Sequence, residues 1–173
     1  IRMKQRRNER IMAIRKVRVI GDEILTKTCK PVKEMTPRIA ELIDDMFETM
    51  YEENGVGLAA SQVGVLRQIV TIDVDDGNQY VLINPEILET SGQQTGYEGC
   101  LSVPGKTGVV TRPDHVKVRA LNEKMEPYEL EGNGLLARAI CHECDHLKGK
   151  LYVTLVEGEL EDVDAPDEEE SEE

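Results

Sequence analysis

The chain has 173 residues, a net charge of −13, 39% hydrophobic residues, a single Phe and no Trp. That length suits one domain with a largely aliphatic core. No stretch approaches the roughly 18 apolar residues of a membrane span, and no signal-peptide core follows the basic N-terminus. Four cysteines outside a disulfide-scaffold composition point to a reducing, cytoplasmic setting.

Residues 1–11 form a basic extension, with Arg2, Lys4, Arg6, Arg7 and Arg10, and are expected to be disordered. An arm touching nucleic acid is one reading; an extension ahead of Met12-Ala13-Ile14 is the favoured one. Residues 13–20 alternate loosely and suggest an edge strand, and the segment around Cys29, Lys30 and Pro31 reads as loop. Thr36 suits an N-cap and Pro37 a first turn. Ile39, Leu42, Ile43, Met46, Phe47 and Met50 then recur at three and four residues, which predicts an N-terminal amphipathic helix ending at Asn54-Gly55.

Gly55-Val56-Gly57-Leu58-Ala59-Ala60-Ser61-Gln62 follows, small residues closing on a polar amide. Its G-x-G pair is weak as a phosphate signal, although glycines let backbone approach a ligand closely. Strand-like runs come next at 68–74, 80–83, 87–89, 109–111, 116–121 and 128–130, separated by turn chemistry such as Asp76-Gly77-Asn78 and Asn84-Pro85. Asn133 or Gly134 opens a second helix that runs to about Leu147, and 151–156 is a predicted final strand. Helices flanking antiparallel β-sheets make the fold class α+β. Eleven of the seventeen residues from Glu157 to Glu173 are acidic and none is basic, so 161–173 is expected to be a disordered tail behind a single folded domain at 12–160.

The second helix carries Cys141-His142-Glu143-Cys144-Asp145-His146, which contains H-E-x-x-H. Residues i and i+4 share a helix face, so two imidazoles reach one metal ion with Glu143 beside it as a proton carrier. With Cys141 at zero on a wheel of about 100° per residue, His142 and His146 project near about 100° and about 140°, and Cys144 near about 300°. Cys141 and Cys144 therefore face the core as small hydrophobes, and the third ligand must come from elsewhere. Alone, Cys100 would read as a buried structural cysteine. In Glu98-Gly99-Cys100-Leu101-Ser102, the flanking glycine, the nearby carboxylate and the need for a third ligand elsewhere make it the favoured candidate. Cys-His-His leaves one tetrahedral position open for water, as in a catalytic site.

Together the three stretches resemble peptide deformylases, whose motifs are G-x-G-x-A-A-x-Q, E-G-C-x-S and H-E-x-D-H. The resemblance runs from about Met12 to about Val156. It implies hydrolytic removal of the formyl group from N-formylmethionine on nascent bacterial polypeptides, in transient proximity to the ribosome. It also implies ligation of one divalent ion by Cys100, His142 and His146. The ion would be Fe2+, with Zn2+, Ni2+ or Co2+ as substitutes. Glu143 would be general base and acid, Gln62 and the backbone N–H of Leu101 would bind the oxyanion, and Val56, Gly57 and Gly99 would pair with the substrate backbone. Glu98 and Arg112 match a supporting carboxylate–arginine pair, and His115 has no matching role.

Leu135 and Ala139 project near about 120° and about 160°, the face of the histidines. With Val56 they would line a pocket for methionine with Arg138 at its rim, although periodicity leaves them equally able to be plain core. Two departures stand out: the chain turns acidic after Glu157 in place of a basic C-terminal helix, and Thr107 stands where some relatives carry arginine. A monomer without membrane or sequence-specific nucleic-acid partners is expected. The alternatives are a zincin-type metallopeptidase, which predicts neither Cys100 nor Gln62, and a non-catalytic metal-binding or ribosome-associated module, which has no use for Glu143.

Overall fold

The computed structural model describes residues 13–163. The predicted basic extension at 1–11 and most of the acidic tail, from 164 onward, lie outside the described residues. Helix α1 spans Pro37–Glu52, with the Thr36 hydroxyl accepting from Ile39 N–H. Its stripe of Leu42, Ile43, Met46, Phe47 and Met50 is buried, and the chain leaves it through Asn54 at φ 56°.

Five antiparallel strands form the main sheet in the order β1-β2-β3-β6-β7, with β1 at Gly57–Ala59, β2 at Ile69–Ile72, β3 at Tyr80–Ser91, β6 at His115–Leu121 and β7 at Pro127–Asn133. Alternation along β2 and β3 splits the core in two. Ile69, Val81 and Ile83 pack with α1, whereas Val70, Ile72 and Leu82 pack with helix α2, Leu135–Leu147. The sheet thus separates the helices, and β2 is buried throughout. A second sheet orders β4-β5-β8, with β4 at Gln94–Cys100, β5 at Val103–Arg112 and β8 at Glu157–Asp162. The whole is a mixed α/β fold built on antiparallel sheets. Among the described residues no helix is long and apolar enough to cross a membrane.

Several local expectations need correction. Residues 13–20 form no strand: Ala13 and Arg15 donate to the side chains of Asp45 and Thr49 on α1, and Arg18 and Ile20 donate to the carbonyls of Gln62 and Ser102. These partners belong to different elements, so no ladder can form. Asn84-Pro85 is not a turn but an irregularity within β3, where the Asn84 amide bonds the N–H and the carbonyl of Val32. The predicted strand at 151–156 is instead a 3-10 turn, Tyr152–Thr154, which buries the Tyr152 ring. The last strand comes later and takes up Glu161 and Asp162, assigned above to the tail. Its backbone pairs with Thr107 and Lys106 of β5 while its acidic side chains remain exposed, so the pairing needs no apolar residues.

Candidate metal centre

Helix α2 has two faces with different tasks. Ala137, Ile140, Cys141, Cys144 and Leu147 lie against the main sheet. Burial pushes the Cys141 thiol up to about 11 and that of Cys144 up to about 12, as expected for inert core groups. The other face, with Glu143 beside Gly57 of β1, carries His142 and His146 toward the second sheet. There β4 ends at Cys100, which pairs with Val103 across a tight reversal after a register shift.

Cys100 Sγ lies 3.3 Å from His146 Nε2, and the Nε2 atoms of His146 and His142 are 3.2 Å apart. All three donor atoms fall within 4.8 Å of one another. Tetrahedral bonds of about 2.0–2.1 Å to nitrogen and about 2.3 Å to sulfur place donors roughly 3.3–3.6 Å apart, so the set fits a transition-metal ion with little adjustment. Burial lowers both imidazoles. At His142, hydrogen bonds donated to Cys100 and Glu98 outweigh it and carry the group to about 10; at His146 the neighbouring His142 adds to it, down to about 3. Two buried rings this close cannot both carry a proton, so their titrations oppose each other.

Glu98 fixes the first of these rings. His142 Nδ1 lies 2.7 Å from Glu98 Oε2, which sets the tautomer with Nδ1–H donating and leaves the Nε2 lone pair free to ligate. Arg112 grips the same carboxylate through Nε at 3.1 Å and Nη2 at 2.7 Å, and reaches Asp145 Oδ2 through Nη1 at 2.7 Å. Burial would raise the Glu98 carboxyl, but bonds from His142 and Arg112 prevail and hold it at about 2. Asp145 received no role in sequence; its place one residue before His146 was the available signal.

Glu143 is buried with its Oε1 3.8 Å from His142 Nε2, and its Oε2 has no hydrogen-bond partner among the described residues. Burial pushes it up to about 7, within reach of proton exchange near neutrality. Gly57 makes its position possible: a Cβ there would sit 2.9 Å from Glu143 Cγ and 2.9 Å from Oε1. Gln62 Oε1 accepts from Ala59 N–H at 2.9 Å, which turns its Nε2 toward Ser102 Oγ at 3.0 Å and Cys100 Sγ at 3.5 Å. Buried Ser102, which sequence reasoning left without a task, thus helps hold the amide.

A cleft of about 470 Å³ opens beside this centre. Val56, Leu101, Leu135 and Ala139 line it, with Val56 41% and Leu135 52% exposed, so Leu135 is not plain core. Gly57, Gly99, His142 and Glu143 also line it. The Val56 carbonyl accepts from Asp73 N–H at 2.9 Å. Arg138 also lines the cleft, but it is only 7% exposed and its guanidinium is bonded to Glu98, so it sits in the cleft's wall with its charge turned toward the second sheet. His115 lies outside the centre, bonded to Asn133 and facing Glu131.

Residues 14–160 match the polypeptide deformylase family. The chain is 60% identical over 163 residues to a peptide deformylase of Lachnoclostridium phytofermentans, covering 93% of this chain and 100% of the relative. It is 64% identical over 152 residues to one of Agathobacter rectalis, covering 88% and 96%. The crystal structure of a peptide deformylase from Legionella pneumophila superposes with a TM-score of 0.81 at 46% identity, over 84% of this chain and 87% of that one. One from Synechococcus elongatus in complex with actinonin superposes at 0.80 with 39% identity, over 86% and 83%.

Proposed function

This chain belongs to the polypeptide deformylase family and removes the formyl group from the N-terminus of nascent peptides, and we propose that Cys100, His142 and His146 hold the metal ion on which that hydrolysis depends. The observation that carries the assignment is the convergence of one sulfur and two imidazole nitrogens beside a buried carboxylate with an unpartnered oxygen. Ferrous iron is the ion we assign, with zinc, nickel or cobalt able to replace it, since a sulfur–imidazole set accepts all of them.

When bound, the ion supplies Lewis acidity and an acidified water. Glu143 takes a proton from the attacking water at Oε2 and returns it to the leaving amine nitrogen. Gln62 Nε2 and the Leu101 N–H donate to the oxygen that gains charge on the formyl carbon, and the Gln62–Ala59 bond keeps that donor oriented. Backbone groups of Val56, Gly57 and Gly99 align the peptide as an added strand. Val56, Leu135 and Ala139 receive the methionine side chain. The substrate reading places the chain in the bacterial cytoplasm and transiently near the ribosome, acting as a monomer because one chain supplies the entire centre.

The test is formate release from a formyl-Met tripeptide by metal-loaded protein, with an unformylated longer peptide as control. Formate release without internal cleavage is the expected result. Internal cleavage without formate would support a zincin-type peptidase, and metal binding without either would support a non-catalytic module.

A further inference from the structure

We propose that Arg138 is a positioning residue for the metal centre, acting through Glu98 on His142; the inference rests on the reading of His142 as a ligand. Arg138 lies one helical turn before His142 on α2. Its Nη1 donates to Glu98 Oε1 at 2.9 Å and to the Val110 carbonyl at 3.1 Å, and its Nη2 donates to the Gln94 carbonyl at 3.4 Å. Two of these acceptors are main-chain groups of β5 and β4, held in place by the ladder between those strands. The guanidinium therefore ties α2 to the second sheet where Glu98 departs from it.

The consequence falls on the Glu98 carboxylate. Oε1 receives Arg112 Nε and Arg138 Nη1, and Oε2 receives Arg112 Nη2 and His142 Nδ1. A carboxylate offers about four lone-pair sites, so this set is full. It cannot rotate without breaking several charge-assisted bonds. Arg112 is also drawn toward Asp145, and Arg138 holds Oε1 from the α2 side. Without Arg138, Oε1 keeps only the 3.1 Å bond from Arg112, and the carboxylate that orients the His142 ring gains freedom. Arg138 also lines the cleft, but its bonds to Glu98, Val110 and Gln94 turn both terminal nitrogens away from a peptide there, and the KM readout separates the two roles.

Arg138→Met keeps the aliphatic stem and removes every donor; Arg138→Lys keeps a cation that cannot span three acceptors. Each is prepared as the cobalt-loaded full chain. The readouts are the metal dissociation constant by chelator competition, the thiolate-to-cobalt absorption band, and KM and kcat on a formyl-Met tripeptide. Arg138→Met should weaken metal binding about 10- to 100-fold and shift the band, with KM within about twofold of the wild type and Arg138→Lys in between. Wild-type affinity and spectrum in Arg138→Met overturn the proposal, and a KM rise of about tenfold with them would make Arg138 a substrate contact. Should Arg138→Met fail to fold, Arg138→Lys decides: wild-type affinity and spectrum overturn the proposal, and a loss of about tenfold or more supports it. A wild-type chain without a tight cobalt site would overturn the ligand assignment itself, a result distinct from any effect at Arg138.

Discussion

Gly57→Ala moves the proposed general base without touching a ligand. Gly57 does not have a left-handed φ, so alanine meets no backbone strain there, and the whole effect comes from one added carbon. That carbon would lie 2.9 Å from Glu143 Cγ, 2.9 Å from Oε1 and 3.1 Å from Cδ. Nonbonded carbons settle at about 3.5–4.0 Å, so the Glu143 side chain must retreat by roughly half an ångström to one ångström. Overpacking of this kind costs about 1–3 kcal/mol. In a chain of this size that lowers Tm by roughly 2–4 °C per kcal/mol. Displacing a reacting group by about 1 Å costs on the order of 10² in rate. We therefore expect kcat/KM on a formyl-Met tripeptide to fall about 10²-fold while metal content stays at the wild-type level. The double variant Gly57→Ala with Glu143→Gln should lose little beyond Glu143→Gln alone, since both changes act on one side chain. Wild-type turnover in Gly57→Ala, or fully additive losses in the double variant, would refute the reasoning.

Glu143→Gln retains size and hydrogen bonding but cannot accept a proton near neutrality, so kcat/KM should fall by about 10²–10⁴ at full metal content; arrival without metal would recast Glu143 as structural support. Asn84→Ala removes both bonds that join β3 to Val32, so denaturant melts should show a loss of about 1–3 kcal/mol while kcat/KM is unchanged. A parallel loss of activity would mean that β3 is coupled to the centre. Removing residues 1–11 and 164–173, which carry none of the assigned site residues, should leave kcat/KM within about twofold of the full chain. A larger loss in the folded truncation would show that a terminus contributes to the site.

What could be read from sequence followed the physics of each element. Helix α1 announced itself through Thr36, Pro37 and a stripe that needs only a 3.6-residue period, and the face of α2 followed from the spacing of His142 and His146. Strand β4 was missed because Gln94–Cys100 holds two glycines and no apolar alternation; its register with β5 is set by backbone bonds. Strand β8 was missed for the same reason in acidic form. The position of Arg138 on α2 set it near the cleft but could not show its side chain folding onto Glu98, because the helix fixes the direction of Cβ and not the path of a long flexible stem. The Gln62–Ser102 bond joins residues forty positions apart and left no local pattern to detect.

The central claim is tested most directly by metal stoichiometry and the cobalt spectrum of Cys100→Ala beside the wild type. The wild type should bind one ion tightly and show a thiolate-to-cobalt band. Cys100→Ala should lose that band, bind metal far more weakly and release no formate from a formyl-Met tripeptide. A Cys100→Ala protein that keeps one tightly bound ion and an unchanged thiolate band would contradict the account.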